Sequence, residues 1–315
     1  MVKTGRIAVL ARFEWQTAML IAISYSLWIF LLLSNNTVPT LFWILFSAIN
    51  IAFFLSITHE VVHGHPTRIP FINRVMVLIP IGWSIPYERF RDGHLEHHST
   101  GELTDPFDDP ESWYLAQDDW FTKNRLVQVM LEFNNTLFGR MLIGPVIGLG
   151  RFYLSEARAL ICDTNHQRRY LARVWSLHIA LCLAMALMIA SLSSNPWWHW
   201  LLATYLGHSI LLIRTFLEHQ AAPDQSQRTV IIEKACPIAF LFLFNNYHFV
   251  HHDKPHIPWY RLPAEYRRQR DEYIARNGAY LYRSYAQVFR QYFFCSKEPV
   301  AHPFLRNSPA ENTVG

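Results

Sequence analysis

Residues Leu41 to His65 read LFWILFSAINIAFFLSITHEVVHGH. This stretch decides the fold because a hydrophobic run passes into a histidine cluster without a break. Leu41 to Ile57 is apolar and close to the ~20 residues that cross the hydrocarbon core of a bilayer as a helix. The histidines begin immediately beyond it, at His59. A membrane span therefore delivers a polar, metal-competent segment to one membrane face.

Three further apolar stretches have similar length: Gln16 to Leu33, Val174 to Leu192 and Trp197 to Phe216. They explain how a chain that is 51% hydrophobic and only 17% charged still carries a net charge of +4, a combination unusual for a soluble domain. Gln16 to Leu33 and Leu41 to Ile57 are expected to pair as one hairpin, and Val174 to Leu192 and Trp197 to Phe216 as another. Lys and Arg number three before the first span, none in Ser34 to Thr40, 12 from His59 to Arg173, none in Ser193 to Pro196 and 13 from Arg214 onward. The positive-inside rule places both termini and the long central segment in the cytoplasm. Trp43, Trp197, Trp198 and Trp200 are expected to anchor the outer interface.

Two more histidine clusters follow, HLEHH at His94 to His98 and HFVHH at His248 to His252, and with HEVVHGH they hold nine of the 16 histidines. All three fall on the same predicted face, although the spans were assigned without reference to them. Imidazole is the commonest protein ligand for zinc, iron and copper, and one zinc needs only three or four ligands, so this many histidines point to more than one metal ion. On a helix, His59 and His63 share a face. In HxxHH the first histidine shares a face with the residues three and four further on, while the adjacent pair diverge, so one cluster can serve two ions.

HEVVH also matches the HExxH signature of zinc peptidases, in which Glu60 would be the general base. Such an enzyme needs one further ligand and has no use for two HxxHH clusters. The four cysteines, Cys162, Cys182, Cys236 and Cys295, show neither metal spacing nor a secreted disulfide pattern and are expected to be reduced packing residues. The first apolar run lacks a small-residue cleavage signal and is expected to be retained. Phe71 to Pro86 and Leu126 to Gly150, apolar but interrupted, are expected to lie in the interface or beneath the spans. Residues 1–300 read as one integral-membrane domain and residues 301–315 as a mobile tail.

The spacing, order and topology of these boxes resemble the membrane fatty acid desaturase and hydroxylase superfamily. Its members carry HxxxH, HxxHH and HxxHH boxes over four transmembrane helices. The resemblance runs from about His59 to Pro263, and HEVVHGHPTR, RDGHLEHHSTGELTDPFDDPESWY and NNYHFVHHDKPHIPWYRLPAEYR are similar to the extended boxes of bacterial acyl-lipid and carotenoid-modifying members. It implies an all-α membrane protein with four transmembrane helices and a cytoplasmic helical cap holding a diiron site. The implied ligands are His59, His63, His94, His97, His98, His248, His251 and His252. His219, in RTFLEHQ, matches a further ligand near the inner end of the fourth helix, with Arg214 and Glu218 spaced for an ion pair. Thr215 departs from the Asn that acyl-CoA desaturases carry at that place.

The resemblance further implies two iron ions, O2 as co-substrate and a lipid or acyl substrate, in the inner membrane of a bacterium. The expected activity is desaturation of a fatty acyl chain. Hydroxylation or ketolation of an acyl chain or carotenoid uses the same ligands, and a non-redox membrane protein is a third reading. Ligating histidines usually donate their other N–H to a carboxylate or carbonyl. Glu60, Asp92, Glu96, Asp105, Glu218, Asp253 and Asn245 stand near enough to the boxes to be candidates, and Asn245 and Asn246 are also candidates for weak or water-mediated metal ligands. His65, His166, His178, His199, His208, His256 and His302 are assigned to no metal. No haem motif, CxxC or GxGxxG is visible, so electrons are expected from a separate ferredoxin, rubredoxin or cytochrome, drawn to a basic surface. Most of these Arg and Lys serve topology and anionic lipid, and nucleic acid is not implied.

Overall fold

The computed structural model describes residues 13–34 and 37–304. The N-terminal basic residues and the tail beyond Phe304 lie outside these, so the expected mobility of residues 305–315 is not among what is described. The longer helices are α1 (Trp15–Leu33), α2 (Thr40–Val62), α3 (Tyr87–Ser99), α4 (Leu137–Cys162), α5 (Asn165–Leu192) and α6 (Trp197–Glu218). The C-terminal part adds strand β1 (Ile231–Ile232), helix α7 (His248–Asp253) and strand β2 (Leu281–Tyr282) among shorter helices.

The chain divides into two compact units. The first contains the chain up to Asp92, Pro145–Leu211 and Leu241–Leu243. Its pattern is inverted relative to a soluble protein. Large apolar side chains such as Phe30, Leu183, Leu187 and Leu201 are exposed, while Thr17, Ser24 and Asn50 are buried. In hydrocarbon the apolar surface costs nothing, whereas polar groups must pair internally. Ser24 Oγ donates to Asn50 Oδ1 (2.9 Å) and Asn50 Nδ2 returns a bond to the Ser24 carbonyl (3.0 Å), joining α1 to α2. Gly207 lets α6 approach α2, since a Cβ there would lie 2.7 Å from Ile51 Cγ2. Two histidines of this unit also pair within it: His178 Nε2 donates to the Trp83 carbonyl (2.9 Å), and His208 bonds Ser84.

Five helices, α1, α2, α4, α5 and α6, are long and apolar enough to cross a membrane, one more than the sequence reading counts. The addition is α4. Leu126 to Gly150 reads as one interrupted stretch, but the break falls at Asn135–Thr136; helix restarts at Leu137 and runs through Pro145 to Cys162. Of the Phe71 to Pro86 stretch, only Pro70–Met76 is α-helical. Trp43 is not an interface anchor. Its indole N–H donates to the Leu31 carbonyl (2.8 Å), its ring packs edge-on to Trp200 at 4.7 Å, and both residues are buried. Trp197 and Trp198 are exposed.

The second unit comprises Gly93–Gly144, Leu212–Phe240 and the chain from Phe244. β1 and β2 pair in parallel, with Ile231 beside Leu281 and Ile232 beside Tyr282. Around them Ile231, Tyr247, Phe249, Val250, Leu262, Tyr266 and Tyr273 form a buried cluster, the largest part of it aromatic. The final described residues are tied down rather than free: Ala301 bridges to Leu115, and His302 is fully buried and bonded to Thr104 Oγ1 (3.1 Å). The four cysteines are all free thiols.

Candidate metal centre

Local structure aims each histidine box. In the first unit, α2 continues past its apolar run to Val62, so His59 and His63 lie one turn apart with ring centres 5.1 Å from each other. Glu60 and His65 belong to the same segment. His65 is buried between two carboxylates: its Nδ1 bonds Glu14 (2.8 Å) and its Nε2 lies 3.7 Å from Glu60 Oε1. Burial alone would lower the His65 pKa, but the Glu14 bond and the charges of Glu60 and Glu14 raise it.

In the second unit the other boxes converge. His94, His97 and His98 occupy the last turns of α3, and His248, His251 and His252 make up half of the short helix α7. α7 is launched by Phe244, whose left-handed backbone (φ 55°) redirects the chain into the 3-10 turn Asn245–Tyr247. His219 follows α6 directly and is held opposite Thr229 by an antiparallel bridge. Two groups result. In one, ligand atoms of His97, His219, His248 and His252 lie within 4.8 Å of one another; in the other, the same holds for His94, His98 and His251.

The ring nitrogens are oriented in a consistent way. Outward, His97 Nδ1 bonds Asp109 (2.7 Å), His94 Nδ1 bonds Glu111 (2.8 Å) and His248 Nδ1 bonds Asn245 Oδ1 (3.1 Å). These acceptors hold the Nδ1 protons and leave the Nε2 lone pairs pointing inward. Inward, His97 Nε2 and His248 Nε2 lie 3.0 and 3.1 Å from His219 Nε2, and His251 Nε2 lies 3.2 Å from His98 Nε2. Lone pairs gathered this closely repel unless a cation sits among them. Two imidazoles bound to one ion at about 2.1 Å have their nitrogens about 3 Å apart, so the donor set fits a metal. His252 Nε2 is moreover buried with no hydrogen-bond partner.

The electrostatics agree. Burial, reinforced by the neighbouring imidazoles, holds His219, His248 and His252 well below the ordinary histidine range and lowers His98 to about 3. These shifts favour the neutral ring, the form that ligates metal. Burial would lower His97 too, but Glu111, Asp109 and Glu218 outweigh it and raise it to about 9. Those carboxylates favour positive charge at the centre of the four-histidine group.

The remaining polar candidates are placed as follows. Asn245 bridges His248 to Glu218, donating from Nδ2 to Glu218 Oε1 (2.7 Å), and Arg214 lies 2.8 Å from the same oxygen. Asn246 instead donates to the Ile232 carbonyl. Asp92 accepts from Arg91 and Tyr170, and Asp253 pairs with Arg276. Asp105 caps a turn by accepting from the Phe107 and Asp108 amides (2.7 and 3.0 Å), and Glu96 is exposed. Thr215 Oγ1 is buried without a partner.

The sequence reading missed Asp109 and Glu111. Their signal was the acidic run DPFDDPE, from which it took only Asp105. Asp109 also receives the Thr104 amide (2.8 Å), which fixes the loop that presents it. Asp109→Asn keeps an acceptor but removes the charge, and we expect metal affinity to fall on the order of 10- to 100-fold, measured by metal titration of the purified protein. An unchanged affinity would mean that His97 does not ligate.

Comparison with curated proteins finds no significant match. Residues 35–284 match the family model for Fatty acid desaturase, and that interval contains every histidine of the three boxes together with His219. Matched over well more than half its length, the chain belongs to the fatty acid desaturase family.

Proposed function

We propose that this protein is an oxygen-dependent membrane desaturase that introduces a double bond into a fatty acyl chain of a lipid, with two iron ions held by nine histidines. The observation that carries this reading is the histidine arrangement of the second unit, with Nε2 atoms inward and Nδ1 atoms on Asp109, Glu111 and Asn245. To those seven histidines we add His59 and His63, the family's first box. Two ferrous ions would supply the electrons that reduce dioxygen and the oxidising power that removes hydrogen from an unactivated methylene. Zinc, which has no redox chemistry, would not.

The chain's own residues prepare that chemistry. Asp109, Glu111 and Asn245 select the tautomers of His97, His94 and His248 and stop the rings from turning. Glu218, beside Arg214, anchors Asn245 in turn. Burial keeps bulk water from the four-histidine group and favours neutral rings at His219, His248 and His252. The segregation of Lys and Arg supports a cytoplasmic site with both termini on that side, in a bacterial inner membrane. The same basic residues suit an acidic electron donor of ferredoxin, rubredoxin or cytochrome type.

Expression in a desaturase-deficient bacterium, followed by mass spectrometry of its lipids and carotenoids, tests the reading. The expected product lacks two hydrogens relative to its precursor and forms only with oxygen. A product with one added oxygen would replace desaturation by hydroxylation on the same ligands. A fully active preparation holding one zinc and no iron would overturn the reading.

A further inference from the structure

The four-histidine group has a hub. His219 places its Nε2 3.0 Å from that of His97 and 3.1 Å from that of His248, and its ring centre is 4.9 Å from that of His252. No helix follows it to stiffen its backbone, because α6 ends at Glu218. The last carbonyls of a helix lack partners within the helix and must find them elsewhere.

They find a lysine from the far end of the chain. Lys297 is buried, with only 9% of its side chain exposed, and its ammonium donates to the carbonyls of Phe216 (3.2 Å) and His219. Its remaining partner is Glu298 Oε1, 2.7 Å away. An ammonium has three donors, and all three are committed. Lysine is almost never buried unless paired, and here two of the partners are main-chain carbonyls at the end of the helix that leads to His219. A cation at that place also complements the helix dipole.

Glu298 completes the grip from the other side. Its Oε2 accepts from the Ala221 amide (3.2 Å), which also donates to Tyr114 Oη (2.7 Å). The backbone is thus held three residues before, at and two residues after His219 by one adjacent Lys–Glu pair. That pair is itself anchored, since the Lys297 amide donates to the Asn135 carbonyl (3.0 Å) and Ser296 bridges to Thr136.

We propose that Lys297 is a positioning residue for the metal centre. Together with Glu298 it fixes the backbone of His219, so that the imidazole stays at the middle of the four-histidine group. This inference rests on the metal reading above. A ligand must be held within about 0.5 Å of its working position, and a loop residue without such support would not be.

The test uses the purified full-length protein, stripped of metal and titrated with Co2+ while visible absorption reports the ligand field of each site. Lys297→Met keeps the length and apolar stem but removes the donors. We expect it to weaken Co2+ binding at one of two sites at least tenfold while the other site, helicity and melting temperature stay close to wild type. Lys297→Arg, which can donate to both carbonyls and the carboxylate, should recover most of the loss. Wild-type affinity at both sites in Lys297→Met would overturn the inference. So would equal loss at both sites together with helicity, which would make Lys297 a residue of general folding. A wild-type protein that takes up no Co2+ would instead overturn the metal reading itself, and the role of Lys297 with it.

Discussion

His219→Ala and His252→Ala are each expected to abolish turnover and strip metal from the four-histidine group, while His166→Ala and His256→Ala are expected to retain nearly full activity. The first pair lies inside the group, where ring centres are 4.9 Å apart and the nitrogens converge. Removing one of four donors leaves an ion under-coordinated, and the penalty exceeds the ~10- to 100-fold cost of losing an outer partner. The second pair is exposed and outside both groups. Metal content by elemental analysis and oxygen-dependent product from membranes give the two readouts. Equal loss in all four variants would show that the histidine assignment does not discriminate. Retention of both metal and activity in His219→Ala would remove the four-histidine group from the chemistry.

The second large effect separates two readings of HEVVH. His98→Ala is expected to eliminate activity, because His98 Nε2 lies 3.2 Å from His251 Nε2 within the other histidine group. Glu60→Gln is expected to cost only about 10- to 100-fold, the usual penalty for a residue that supports ligands without joining them. In the structure Glu60 lies 3.7 Å from His65 Nε2, a histidine already bonded to Glu14, as expected for a charge that steadies the end of α2. Were Glu60 the general base of a zinc peptidase, its amide could not accept the proton of metal-bound water, and Glu60→Gln would be dead. Assaying both variants for oxygen-dependent lipid product decides between them. An inactive Glu60→Gln protein beside an active His98→Ala one would reverse the assignment.

The legible parts of this protein were those governed by local rules. A run of ~20 apolar residues is a span wherever it occurs, so α1, α2, α5 and α6 could be placed within a few residues of their ends except at the start of α5. That helix begins at Asn165, well before the apolar run at Val174, because Arg168, Arg169 and Arg173 are good helix formers that hydropathy alone cannot register. The histidine boxes were legible for a similar reason. Spacings of three and four residues on a helix are a geometric statement complete in themselves, and they single out every member of both groups in the second unit except His219. His219 has no spacing partner and came only through family resemblance.

What only the tertiary structure decided was the choice of partners. Asp105, Asp109 and Glu111 are all carboxylates within one seven-residue run. Asp105 caps its own turn while Asp109 and Glu111 reach His97 and His94, and the difference lies in how the loop folds back on α3. Trp43 has the composition of an interface anchor and became a core residue because the Leu31 carbonyl and the Trp200 ring are there to receive it. The tail reads as mobile from residue 301, yet Ala301 bridges to Leu115 and His302 bonds Thr104, and nothing in the neighbours of Lys297, just before it, marks that lysine as the one that bonds the His219 carbonyl. By itself the sequence determined a helical membrane protein with histidine boxes at its helix ends, because hydrophobicity and helical period are properties of neighbouring residues. The tautomers, the outer carboxylates and the support of His219 were decided by contacts that exist only once the chain has folded, from His97 and Asp109, 12 positions apart, to Lys297 and His219, 78 apart.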